Sequence, residues 1–195
     1  MFPMKQALES RGLTGGLIVT WASLWAISVL LTRVAIPPVD PNITSSSRAL
    51  EQLGTLGLTL PIALTSVLAS SRAPWLLVSS TRSKIASQQA PTWIIVGCNC
   101  AAAAVLSPLL PRGVSFSRTA LLVILFSTLT LLIAQKLGSA WGATPAPALA
   151  VVASVRGALP WQANFIYNTE ATSLLCAITA VSALCLLALN LRGKA

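Results

Sequence analysis

The chain has 195 residues, 55% of them apolar and 9% charged. Soluble domains carry about 25% charged residues, so a water-soluble fold is excluded and lipid is the solvent for most of this surface. The net charge of +9 comes from 13 Lys and Arg against four acids, scattered between apolar runs rather than gathered into a nucleic-acid-binding patch.

The N-terminal stretch "MFPMKQALESRG" predicts a short amphipathic helix on the inner leaflet. Lys5 and Arg11 before an apolar run imitate a signal peptide. That run exceeds the roughly 7–15 residues of a cleavable segment and has no convincing cleavage site, so a retained first span is expected at Thr14–Ile36. The second span is Leu53–Ser70, with Pro61 inside it. Pro61 removes a backbone donor and predicts a kink, tolerable where a neighbouring helix covers the freed carbonyl.

After it, Ser71–Pro91 predicts a cytoplasmic helix lying along the membrane surface, begun by Pro74 and ended by Pro91. It reads either as a docking helix that presents Arg72, Arg82 and Lys84 to a partner, or as a surface helix held by those bases and a Trp75 anchor.

Thr92–Leu110 is the third span. Its run "GCNCAAAA" offers a smooth surface for close helix approach. Asn99, strongly polar and central, predicts a hydrogen bond to a neighbouring helix or a contact with a transported molecule. Thr119–Leu137 is the fourth span. Ala140–Val155 is the fifth, Ala-rich and broken by Pro145 and Pro147, with a GxxxG at Gly138 and Gly142.

Next comes "LPWQANFIYNTEATS" (Leu159–Ser173), with three aromatics, two asparagines and a carboxylate. Pro160 breaks the preceding helix, Trp161 and Phe165 are spaced i, i+4, and Tyr167 follows. This predicts either a short re-entrant or interfacial helix, or an ordinary loop in an aromatic belt. Asn168 or Thr169 caps the last helix, and Glu170 suits its positive end. The sixth span is Ala171–Leu191.

These spans make a single all-α integral membrane domain over residues 1–195. Counting Lys and Arg on each side puts Lys5, Arg11, Arg72, Arg82, Lys84, Lys136, Arg192 and Lys194 on one side and Arg33, Arg48, Arg112, Arg118 and Arg156 on the other. Both termini are therefore expected in the cytoplasm, in a plasma (inner) membrane.

Catalytic chemistry has little to stand on. There is no histidine, the commonest general base and metal ligand. Cys98 and Cys100 point about 200° apart on a helix, so neither a metal nor a redox role is expected. Four scattered acids cannot hold a metal cluster, and no GxxxxGK[ST] phosphate loop occurs. No acid lies within a span, as ion-driven carriers require. The chain reads as a non-enzyme without its own cofactor.

The order of these parts resembles the ABC-2-type permeases, the membrane halves of ABC exporters. The likeness covers nearly the whole chain as architecture: six spans, a coupling segment between spans two and three, and gate segments between spans five and six. It implies that Arg72, Trp75, Arg82 and Lys84 couple to a cytoplasmic ATPase subunit, through which ATP enters. It further implies that Pro160, Trp161, Asn164, Phe165 and Tyr167 form an external gate and that Asn99 belongs to the substrate path. A second permease chain and membrane lipid are the other partners, and the cargo is amphipathic or apolar. Two alternatives are a substrate-binding subunit of an energy-coupling-factor vitamin importer, with Trp161, Asn164 and Asn168 as ligands, and a non-transporting accessory subunit.

Overall fold

The computed structural model describes residues 15–34, 46–69, 84–110, 115–154 and 159–192, and these are helical with short connections and no strand. The helices are α1 (Gly15–Leu31), α2 (Ser46–Leu64), α3 (Ser66–Ala69), α4 (Lys84–Leu106), α5 (Phe116–Leu137), α6 (Ser139–Gly142), α7 (Pro145–Ser154) and α8 (Thr172–Arg192).

Among the described residues, three stretches are long and apolar enough to cross a membrane: Thr92–Leu109, Phe116–Leu137 and Thr172–Asn190. Two shorter apolar helical stretches, Gly15–Leu31 and Leu53–Leu68, accompany them. At a rise of about 1.5 Å per residue, the 17 residues of α1 reach about 25 Å, a little short of a hydrocarbon core of about 30 Å. Of the six expected spans, three coincide with these long stretches, two with the shorter apolar ones, and the fifth falls into the short helices α6 and α7.

Helix α5 is the centre of the bundle. It packs against α4, α8, α2, α7, α3 and α6, and half of its apolar stretch is buried, against 28% for α4 and 22% for α8. Val123, Leu125, Phe126 and Leu131 are fully enclosed. The outer helices turn their other faces outward, as Val105, Val181 and Leu184 illustrate. Apolar residues all round a helix match burial in protein on one side and lipid on the other.

Helix directions follow from the side-chain bonds between them. Arg118 meets Thr172 and Thr128 meets Ser182, both across 54 residues of sequence, so α5 and α8 run parallel. Asn99 meets Ser127 and Thr92 meets Gln135, so α4 and α5 run antiparallel. Trp21 bonds to Asn99 and Arg33 to the Leu109 carbonyl, so α1 and α4 are parallel. Gly57 lies on Ser28 and Gly54 on Thr32, which makes α1 and α2 antiparallel. Between the parallel α5 and α8, the chain must return along the length of α5, and α6 and α7 make that return.

The two proline sites behave differently. Helix α2 runs through Pro61 and yields only at Thr65. Pro61 cannot donate to the Gly57 carbonyl, and Ser28 of α1 donates to that carbonyl instead, at 2.6 Å. The approach is close because a Cβ at Gly57 would lie 3.2 Å from the Ser28 Cα. Pro145 and Pro147 occupy the first and third positions of α7, where no intrahelical donor is needed. They start that helix rather than kink it, and the break falls before them at Ala143–Thr144.

Gly138 closes α5 with φ +96°, a conformation that favours glycine. The turn folds α6 back so that Gly142 sits directly on Ala134. Of the Gly138/Gly142 pair, Gly142 thus packs within the chain, whereas a Cβ at Gly138 would meet nothing within 4 Å. The "GCNCAAAA" run does so only in part: Ala103 is buried, whereas Gly97 has no neighbour within 4 Å and Cys98, Ala101 and Ala104 face outward.

Candidate functional site

Up to Ala171 the stretch quoted above contains no α-helix. It forms two 3-10 turns, Trp161–Ala163 and Thr169–Ala171, joined by a tight bend. Its middle is buried: Asn164, Ile166, Tyr167 and Asn168 are each less than one-tenth exposed. The backbone leaves helical geometry at Asn164, so residues 161 and 165 do not stand one turn apart on a helix as the i, i+4 spacing predicted.

The buried polar side chains Asn164, Tyr167 and Asn168 bond to the backbone. Asn164 donates through Nδ2 to the Ala153 carbonyl at 2.8 Å, and its Oδ1 accepts the Tyr167 backbone N–H at 3.2 Å. Ala153 lies in the last turn of α7, whose carbonyls have no intrahelical donor; Asn164 supplies one from ten residues downstream of that helix's end. The Tyr167 hydroxyl donates to the Ala150 carbonyl at 3.3 Å, and burial raises the phenol's pKa above its ordinary value. Asn168 accepts from the Glu170 N–H at 3.0 Å, capping the turn that opens α8. Glu170 itself is exposed at that positive end.

Arg118 fastens this plug to the central helix. Its Nη2 donates to the carbonyls of Phe165 and Ile166 at 2.9 and 3.0 Å, and its Nη1 to the Thr172 hydroxyl at 3.3 Å. One guanidinium thereby ties the start of α5, the plug and the start of α8 together. From sequence Arg118 counted only as a loop charge. The signal for a role was its place in the first turn of an apolar helix, where a cation opposes the dipole and needs acceptors.

At mid-bundle a second polar group joins three helices. Trp21 Nε1 donates to Asn99 Oδ1 at 3.1 Å, and Asn99 Nδ2 donates to Ser127 Oγ at 3.1 Å. Asn99 is fully enclosed, and the expected bond to a neighbouring helix is made twice over. Trp25 stacks edge-on against Trp21, with ring centroids 6.2 Å apart.

Of the predicted gate residues, Asn164, Phe165 and Tyr167 come together in the plug. Pro160 stands exposed at its edge, and the Trp161 side chain lies outside the described residues. Asn99 is separate, in the seam of α1, α4 and α5. Of the predicted coupling residues, Arg72, Trp75 and Arg82 lie outside the described residues. Lys84 does not belong to a separate surface helix that ends at Pro91: it opens α4, which runs unbroken through Pro91 to Leu106.

No group of three or more His, Cys, Asp or Glu side chains that could hold a metal occurs among the described residues, and the four cysteines are free thiols. The side chains brought together here, Asn99, Arg118, Asn164 and Tyr167, make hydrogen bonds to neighbouring side chains and backbone carbonyls. A scan against protein-family models and searches of the curated proteins and of the solved structures return no match to this chain.

Proposed function

We propose that the chain is a six-pass permease subunit of an ATP-driven transporter, which moves an amphipathic or apolar substrate and borrows ATP hydrolysis from a separate cytoplasmic subunit. The observation that carries this reading is the broken fifth segment sealed at one end by the plug. Helices α6 and α7 run back beside α5 from Ala134 toward the level of Arg118, and residues 161–171 close that end by bonding to Ala150, Ala153 and Arg118. A re-entered end with a compact cover between the last two passes is what an external gate needs.

Charge agrees with the same orientation. Arg33 and Arg118 bond at the end bearing the plug, while Lys84, Lys136 and Arg192 fall at the opposite end of their helices. With the more basic end in the cytoplasm, the plug faces outward, in a plasma-type membrane. A second permease chain completes the path, because six short passes enclose only half of one.

The vitamin-importer alternative loses ground. Two of its supposed ligands, Asn164 and Asn168, give their amide oxygens to backbone N–H groups of the plug. A non-transporting accessory subunit keeps one supporting observation: the plug's polar groups serve the fold first. Affinity purification of the tagged chain from its native membrane in mild detergent, followed by mass spectrometry, separates these readings. The permease reading expects a stoichiometric ATP-binding subunit and a second six-pass chain or copy. Recovery without any ATPase contradicts it.

A further inference from the structure

Two fully enclosed hydroxyls, those of Ser66 and Thr130, have no hydrogen-bond partner among the described residues. Their neighbours Thr65 and Thr128 bond back to the Ile62 and Leu125 carbonyls, the ordinary way to hide a hydroxyl in a helix. Within a bilayer no bulk water relieves an unmet hydroxyl, so leaving one is costly.

The fold brings these two side chains to one place. Helix α1 is antiparallel to α2 and, being parallel to α4, antiparallel to α5 as well, so α2 and α5 run parallel. Residues four apart share a helix face. Leu58 of α2 and Leu122 of α5 belong to the central core cluster, and so do Ile62 and Phe126, one turn further along each helix. One turn further again come Ser66 and Thr130. The two rows descend in step, and their third rung is polar.

Heights measured along a different route agree. Ser28, which meets Gly57, is seven residues past Trp21, and Trp21 is bridged to Ser127 through Asn99. Gly57 therefore stands about 10 Å from Ser127 toward the plug, and Ser66, nine residues on, about 3 Å beyond Ser127 on the other side. Thr130 lies about 4.5 Å beyond Ser127 on that same side. The lateral placement agrees too: α3, which holds Ser66, packs against α5 and α6, and Ala134, one turn below Thr130, carries Gly142 of α6. Trp25, whose indole N–H also has no partner among the described residues, stands apart: it is about 6 Å from the Trp21 level in the opposite direction.

We infer that Ser66 and Thr130 form one binding site between α3 and α5, and that its ligand is a single water molecule. Both hydroxyls can donate and accept, and so can water, whereas a carbonyl oxygen only accepts. With parallel helix axes about 8–10 Å apart, two such short side chains leave room for a ligand of about that size. Buried waters make about three hydrogen bonds, and the carbonyls at the end of α2, freed where the helix yields at Thr65, are within a turn of Ser66. The water pins α3 to the central helix just past the break that follows Pro61. The site does not depend on transport, and it is present in the purified chain without an ATPase.

The test is a double-mutant cycle on the full chain in detergent micelles, with Ser66→Ala, Thr130→Val and the two combined. Each single variant is expected to lower Tm by on the order of 2–4 °C, and the double variant no further than either, because one ligand is lost in all three. Single variants with an unchanged or raised Tm mean that the hydroxyls hold nothing, and additive losses mean two separate sites; either result overturns the inference. Nuclear magnetic resonance with 15N-labelled threonine, the Thr130 amide being assigned by its absence from Thr130→Val, identifies the ligand. A cross-peak from that amide to water is expected. Coupling in the cycle without such a cross-peak means a direct Ser66–Thr130 bond, and it overturns the water site.

Discussion

Arg118→Ala is expected to release the plug from the bundle. The substitution removes the donors to the Phe165 and Ile166 carbonyls and to Thr172, and Ile166 is 2% exposed, so water cannot readily replace them. Hydrogen bonds involving a charged group contribute about 1.5–3 kcal/mol each; with partial solvent access at Arg118, a total loss of about 2–4 kcal/mol is expected. In thermal unfolding this corresponds to a drop of roughly 5–15 °C, accompanied by faster proteolysis near Gln162. Arg118→Lys keeps the charge but not the planar fork, so it should fall between the two. Equal Tm values for all three forms would mean that the clamp contributes nothing to holding the plug.

Gly142→Val is expected to separate α6 from α5. A Cβ at Gly142 would meet the Ala134 side chain and lie 2.8 Å from its Cα and 3.0 Å from its backbone nitrogen. Backbone cannot rotate away as the end of a side chain can, so the cost sits at or above the about 1–3 kcal/mol usual for overpacking. Gly142→Ala should already reduce the yield of folded protein, and Ala134→Gly in the same chain should restore part of it, the non-additivity expected of touching residues. Gly97→Ala is the control, because nothing lies within 4 Å of that position. If Gly142→Val and Gly97→Ala behaved alike, the contact would not exist in the folded protein.

Much of the architecture was legible because lipid imposes few solutions. Apolar runs of about 20 residues mark helices that cross, and α4, α5 and α8 lie where composition places them. Pro61 was readable as a lost donor, but its compensation was not: nothing local in the sequence says that Ser28 reaches the Gly57 carbonyl. The fifth segment was flagged by its prolines, yet their physical role was misread. They open α7, and the discontinuity belongs to Gly138 and to Ala143–Thr144.

The candidate site was legible as composition and illegible as geometry. Aromatics and amides between the last two apolar runs announced a special segment. Their partners, the Ala150 and Ala153 carbonyls, carry no side-chain signature, because every residue has a carbonyl. Pro91 misled for a related reason: a proline stops a helix only when nothing else sustains it, and α4 continues through it. Trp21 was hidden among other apolar residues of its span, although an indole at membrane depth needs an acceptor and Asn99 was the one strongly polar residue centred in a span.

The central claim is that the chain returns across the membrane between α5 and α8. Single cysteines at Lys136 and at Gln162, both exposed, introduced into a chain with Cys98, Cys100, Cys176 and Cys185 replaced by alanine, test it in sealed cells with a membrane-impermeant thiol reagent. The account predicts labelling of Gln162→Cys from outside and of Lys136→Cys only after the membrane is opened. Labelling of both from the same side would mean that residues 139–154 do not cross, and the six-pass permease would fall with them.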